Sequence, residues 1–150
     1  VDRLLAAVAV NHLRNPEKPA VIVDLGTANK VDLISDSGVF RGGSISPGFG
    51  IAARAMHEFT DLLPLLDIAA LNEPPAALGV STVTAMQSGL YWGTIGAVKE
   101  LIARLGAEIG QAPEVFLTGG AAKSVMPHLG QDVHYVPDLV LAGIVLTSVK

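Results

Sequence analysis

The sequence predicts a mixed α/β fold, a sheet flanked by helices, within one domain of 150 residues. Two patterns predict it. Near the start, three short strand-like runs follow one another as a meander: Ala20 to Val23, Lys30 to Ser35 and Val39 to Ile45. Beyond them, helical spacing alternates with apolar runs of strand length. A third feature goes with these: glycines stand where predicted strands end.

The elements follow in order. Asp2 to Leu13 holds strong helix formers with Leu4, Leu5, Val8 and Leu13 at helical spacing, and Asn15-Pro16 stops it. Ala20 to Val23 is β-branched and reads as a buried strand, with a tight turn over Asp24-Leu25-Gly26-Thr27. Asp36-Ser37-Gly38 joins the second strand to the third as a hairpin turn. After Ser46-Pro47-Gly48, Phe49 to Phe59 reads as a helix with Ile51, Ala55 and Phe59 on one face. Leu62 to Glu73 is apolar but interrupted by Pro64, so helix and loop both remain open. Pro75 to Val80 reads as loop. Thr82 to Leu105 is the longest helical candidate, although Gly89, Gly93 and Gly96 weaken it and allow close approach of a neighbour. Glu114 to Leu117 is a strand, Thr118-Gly119-Gly120 a turn, and Ala121 to Leu129 a short helix. His134 to Val136 is a short strand and Asp138 to Lys150 a terminal helix.

Composition narrows the function classes. Ten basic and 14 acidic residues leave a net charge of −4 with no basic run, so no nucleic-acid partner is expected. There is no cysteine, which excludes a disulfide framework, a thiolate metal site and a cysteine nucleophile. Charged residues make up 16%, against about 25% in ordinary soluble domains. Part of the surface is therefore expected to meet other protein. The longest uncharged stretch, Pro74 to Val98, is broken by prolines, polar residues and glycines, and Leu139 to Val149 is too short to span a bilayer. No membrane partner and a cytoplasmic location are the expectation. The chain opens on Val1 inside a helix already under way, which suggests the C-terminal part of something longer.

Three glycine-bearing segments carry the candidate chemistry. In Asp24-Leu25-Gly26-Thr27-Ala28, Gly26 permits a tight turn and close approach of a ligand to backbone amides. Thr27 offers a hydroxyl to a phosphate oxygen, and Asp24 can hold a cation; an Asx-stabilised turn without a ligand is the alternative. Thr118-Gly119-Gly120 repeats the logic before a helix N-terminus, where a plain tight connection is the competing reading. Arg41 to Gly48 is either a strand-to-helix connection or a wall for a small substrate. The four histidines have no metal-ligand spacing, and Tyr91 and Trp92 read as packing or dimer contacts.

Taken in order, the segments resemble the type III pantothenate kinases of the actin-like superfamily. These are Asp2-Arg3; Asp24 to Ala28 with Asp32; Gly42-Gly43-x-Ile45-x-Pro47-Gly48; Leu63-Pro64; Gly79-x-x-Thr82 with Gln87-Ser88-Gly89; Thr118-Gly119-Gly120; and Leu139-Val140-Leu141-x-Gly143. The resemblance runs from Asp2 to about Ile144. It implies a ribonuclease H-like lobe, the C-terminal half of a two-lobe kinase that phosphorylates pantothenate with ATP, the first step toward coenzyme A. It implies Asp2 as general base, Arg3 and Thr82 as substrate contacts, and Asp24 as ligand of an activating potassium or ammonium ion. Gly26 and Thr27 would meet the phosphates, and Thr118, Gly119 and Gly120 the nucleoside. A homodimer is also implied, with Mg²⁺ held through a lobe that this chain lacks. One departure stands out: Lys30 occupies a position where the family usually has Thr. It would aid ATP binding, replace the cation, or mark a non-catalytic accessory regulator of the same family, the alternative reading.

Overall fold

The structure, a computed structural model, describes residues 1–148. The predicted ends of the last helix, Val149 and Lys150, lie outside the described residues.

A five-stranded sheet in the order β3-β2-β1-β4-β5 forms the middle layer. Its strands are β1 (Ala20–Leu25), β2 (Ala28–Ile34), β3 (Phe40–Pro47), β4 (Glu114–Thr118) and β5 (Val133–Tyr135). β1, β2 and β3 pair antiparallel, as the meander predicts, while β4 and β5 run parallel to β1. The helical crossover between β1–β3 and β4 is what makes the parallel pairing possible. This is the ribonuclease H-like arrangement.

The helices are α1 (Asp2–Leu13), α2 (Phe49–Glu58), α3 (Thr82–Ile109), α4 (Ala122–Val125) and α5 (Leu139–Ser148). Alternation along β1 divides the core between the two faces. Val21, Val23 and Leu25 pack with Tyr91, Ile95 and Val98 of α3. Ala20 and Ile22, with Ile34 and Phe116, pack against Ala6, Ala9 and Val10 of α1 and Leu139 of α5. The small residues of α1 let it lie close to its neighbours. A Cβ added to Gly143 of α5 would stand 2.1 Å from the Leu5 carbonyl oxygen, so this crossing needs glycine.

α3 is longer than expected, 28 residues. Its start is fixed by Ser81 and Thr84, which form a reciprocal capping box, and its end by Gly110 in a left-handed conformation. Side chains from α3 also tie down the Pro74–Val80 loop. Ser88 Oγ donates to the Ala77 carbonyl at 2.6 Å and Trp92 Nε1 to Pro75 at 3.0 Å. Tyr91 is fully buried and donates to the Ser124 carbonyl at 2.7 Å.

One open reading is resolved, one expectation changes, and one helix face is placed. The open segment Leu62 to Glu73 is loop followed by a 3-10 turn, Ile68–Asn72, started by Asp67 accepting from the Ala69 amide. The predicted helix Ala121 to Leu129 is split into α4 and a 3-10 turn, Met126–His128, because Pro127 has no amide to donate. On α2, the buried residue is Ala53, while Ile51 and Phe59 are exposed.

Candidate nucleotide and substrate site

The site lies where β1 and β4 end side by side. Asp24 and Thr118 are register partners on these parallel strands, so each strand delivers a glycine loop to the same edge. Gly119 has φ +100°, and an added Cβ would sit 2.5 Å from the Leu25 carbonyl oxygen. Gly119 is thus required both by its backbone conformation and by its neighbour. Gly48, the residue before α2, is pressed equally hard against the first loop: its Cβ would meet the Gly26 carbonyl oxygen at 2.2 Å. The three glycine segments therefore converge through backbone contacts.

Two recesses flank this convergence. The larger, about 770 Å³, is lined by Gly26, Thr27 and Gly120, by Ile51, Arg54, Ala55 and Glu58 of α2 with Phe59 just beyond its end, and by Ile68 and Asn72 of the 3-10 turn. The apolar stripe predicted on one face of α2 lines this cleft, which explains its exposure. An apolar wall with Arg54, Glu58 and Asn72 placed on it is suited to a ring system carrying polar groups. The second recess, about 390 Å³, is lined by Asp24, Thr118, Gly119 and Gly120 and by Asp138 and Leu139. Asp138 is the one non-glycine residue with positive φ among the described residues, at +55°. Its strained backbone immediately precedes α5.

Charged side chains form two successive rows on the α1 face of β2. Asp32 accepts from Arg3 Nε at 3.0 and 3.1 Å and from Arg3 Nη2, and the Arg3 guanidinium lies 5.3 Å from the centre of the Phe40 ring. The hydrogen bonds to Asp32 raise the Arg3 pKa further above its ordinary value, so Arg3 stays charged at any working pH. Gly43 leaves room for this pair, since its Cβ would lie 2.6 Å from Asp32 Oδ1. One row along, Lys30 stands directly across from Asp24, and its Nζ donates to Asp24 Oδ2 at 2.8 Å. Both side chains of this pair are largely buried, at 25% and 18% exposure.

The sequence-predicted residues are thus partly assembled. Gly26, Thr27 and Gly120 share the larger cleft, and Asp24, Thr118, Gly119 and Gly120 the smaller one. Arg3 joins the Asp24 face through Asp32, and Asp2 is exposed beside it at the first turn of α1. Thr82 is apart: it is exposed at the first turn of α3, which packs on the opposite face of the sheet from α1. The cleft residues Arg54, Glu58 and Asn72 were not singled out by any motif. Only the apolar spacing of α2, directly after a glycine, points toward them.

A cation at Asp24 can be tested against this donor set. The ammonium of Lys30 already engages one carboxylate oxygen, and it brings donors and a positive charge but no lone pair. That arrangement does not fit a second cation.

A mixed sheet of this order, flanked by helices and with two glycine loops converging at its strand ends, defines a lobe of the actin-like ATPase fold. A solved structure of the ethanolamine utilization protein EutJ from Carboxydothermus hydrogenoformans shares the fold, with TM-score 0.56 and 15% identity over 97% of this chain and 53% of its own. A Campylobacter jejuni protein named for the Baf family of transcriptional activators superposes with TM-score 0.68 and 22% identity, covering 97% of this chain and 61% of its own.

Within that class, the family model for type III pantothenate kinase matches residues 1–104, and the chain belongs to this family. Relatives bearing that name are 44% identical in Dehalococcoides mccartyi, 42% in Moorella thermoacetica and 38% in Acidiphilium cryptum. Each match covers 118 residues, 79% of this chain and 42 to 44% of the relative. The chain therefore spans less than half the length of the curated relatives it matches.

Proposed function

We propose that the chain is one ribonuclease H-like lobe of a two-lobe kinase that phosphorylates pantothenate with ATP. The observation that carries this reading is the convergence of Gly26, Gly48 and Gly119 at one sheet edge, in a chain of this family. Backbone amides at Gly26 and Thr27 would approach phosphate oxygens, and the α2 cleft beside Gly120 would hold the nucleoside. Magnesium would be held by residues outside this segment.

The reaction asks little covalent chemistry of the protein. The pantothenate hydroxyl oxygen attacks the γ-phosphorus, the bond to the bridging β,γ-oxygen breaks, and ADP leaves. The hydroxyl proton passes to the Asp2 carboxylate, which acts as general base. Arg3, held by Asp32, presents a fixed positive charge for the pantothenate carboxylate.

Two observations support a homodimer. The exposed face of α3 carries Gly89, Gly93 and Gly96 with open space in front of each. Arg3 and Thr82 also stand on helices that pack on opposite faces of the sheet, so a shared substrate is more simply reached by Arg3 of one copy and Thr82 of another.

The test is ADP release with and without pantothenate, using the longest natural polypeptide that contains this segment. Pantothenate-dependent release is expected. Asp2→Asn is expected to lower it by about 10²-fold or more, without moving the melting temperature. Pantothenate-independent or absent release in the wild type would favour the accessory-regulator reading.

A further inference from the structure

We propose that Lys30 is the resident counter-ion of Asp24, so that this protein carries its own positive charge beside the phosphate loop and needs no free monovalent cation there. The proposal rests on the kinase reading only for its activity readout. The geometry is direct. β1 and β2 form a tight hairpin around Gly26 and Thr27, and its register places position 30 exactly across from Asp24. Any side chain at position 30 with the reach of lysine faces that carboxylate. Nζ lies 2.8 Å from Oδ2 with both partners mostly shielded from water. Opposite charges directly across an antiparallel pair reinforce one another.

A free cation would have to displace this ammonium or join it. Joining is opposed by like charge at close range, in a site mostly shielded from solvent. Displacing it means competing with a group tethered to the same hairpin, whose effective concentration does not fall when the salt is changed. Lysine also adds no oxygen to the donor set. The same carboxylate lines the recess under Thr118 and Gly119, so the lysine charge sits within reach of an anion bound at the two glycine loops. That is the place where a diffusible cation would otherwise offset phosphate charge.

The experiment compares wild type with Lys30→Thr and Lys30→Met in potassium, ammonium, sodium and choline chloride at equal ionic strength. It uses the longest natural chain containing this segment. Two readouts are taken: ATP-dependent phosphorylation of pantothenate, and melting temperature without substrate. Wild-type turnover is expected to vary less than about twofold across the salts, while Lys30→Thr loses roughly tenfold in choline and regains it in potassium or ammonium. In melting, a potassium-specific stabilisation is expected in Lys30→Thr and not in wild type. Lys30→Met serves in its place if the threonine variant does not fold. Wild type activated roughly tenfold by potassium overturns the proposal. An equal melting response of wild type and variant, present or absent, also overturns it. Failure of the kinase reading looks different: no pantothenate-dependent turnover in any salt, with the melting comparison still deciding the role of Lys30.

Discussion

Asp32 is 3% exposed and gives both carboxylate oxygens to Arg3, whose side chain is 30% exposed. A carboxylate this buried is tolerable because the guanidinium satisfies it. Replacing it has a lopsided effect: Arg3 can turn to solvent, but it loses the fork that aims it. Asp32→Ala is therefore expected to lower stability by roughly 2 kcal/mol, read as a shift in the urea midpoint. In the pantothenate assay it should raise KM more than it lowers kcat, since the proposed role of Arg3 is to bind substrate and not to take a proton. An unchanged KM would mean that Arg3 does not touch pantothenate. Residues of this kind were unevenly legible. The turns that follow Asp24 and Thr118 show themselves in the sequence, because glycine after an apolar run marks a strand end. The engagement of Lys30 with Asp24 and of Arg3 with Asp32 depends on strand register and helix placement. No local pattern carries either.

Elements were easier to foresee than their faces. The meander, the long helix and the glycine turns follow from turn chemistry and apolar periodicity, and the observed boundaries differ by a few residues. What the stripe on α2 packs against was not readable, because a period of 3.6 is the same whether the apolar face meets a core or a ligand cleft. The terminal helix shows another limit. Leu141, Ile144, Val145 and Leu146 of α5 are exposed although the helix is apolar all round, and the face that reaches α1 is set by Gly143. Close approach at this one position makes a sharp contrast with α3. Gly143→Ala is expected to cost on the order of 2 kcal/mol, since backbone at Leu5 must move. Gly93→Ala on α3 meets open space, and it should stabilise the folded protomer by about 0.5–1 kcal/mol through helix propensity. Thermal melts of the two variants, run side by side, check the sign as well as the size.

At the scale of the whole molecule, the residues proposed to meet the substrate are divided between the layers. Asp2 and Arg3 belong to α1 on one face of the sheet, and Thr82 to α3 on the other. The low charged fraction, 16%, and the open glycine face of α3 both leave surface for a second copy. If a two-fold dimer brings Thr82 of one protomer to Arg3 of its partner, the active site belongs to the pair of chains. Variants in different contacts then complement each other. Asp2→Asn and Thr82→Ala are each expected to be nearly inactive as homodimers. Mixed at equal concentration and allowed to exchange, half of the dimers become heterodimers. Each heterodimer holds one site with both native residues and one with neither, so about a quarter of wild-type activity should return. Sedimentation velocity before mixing establishes that each variant is dimeric. Recovery should follow the exchange rate, not the mixing time. Two dimeric variants that exchange without recovery would place Asp2 and Thr82 in the same protomer's site, requiring that the end of α3 reach around the sheet edge to α1.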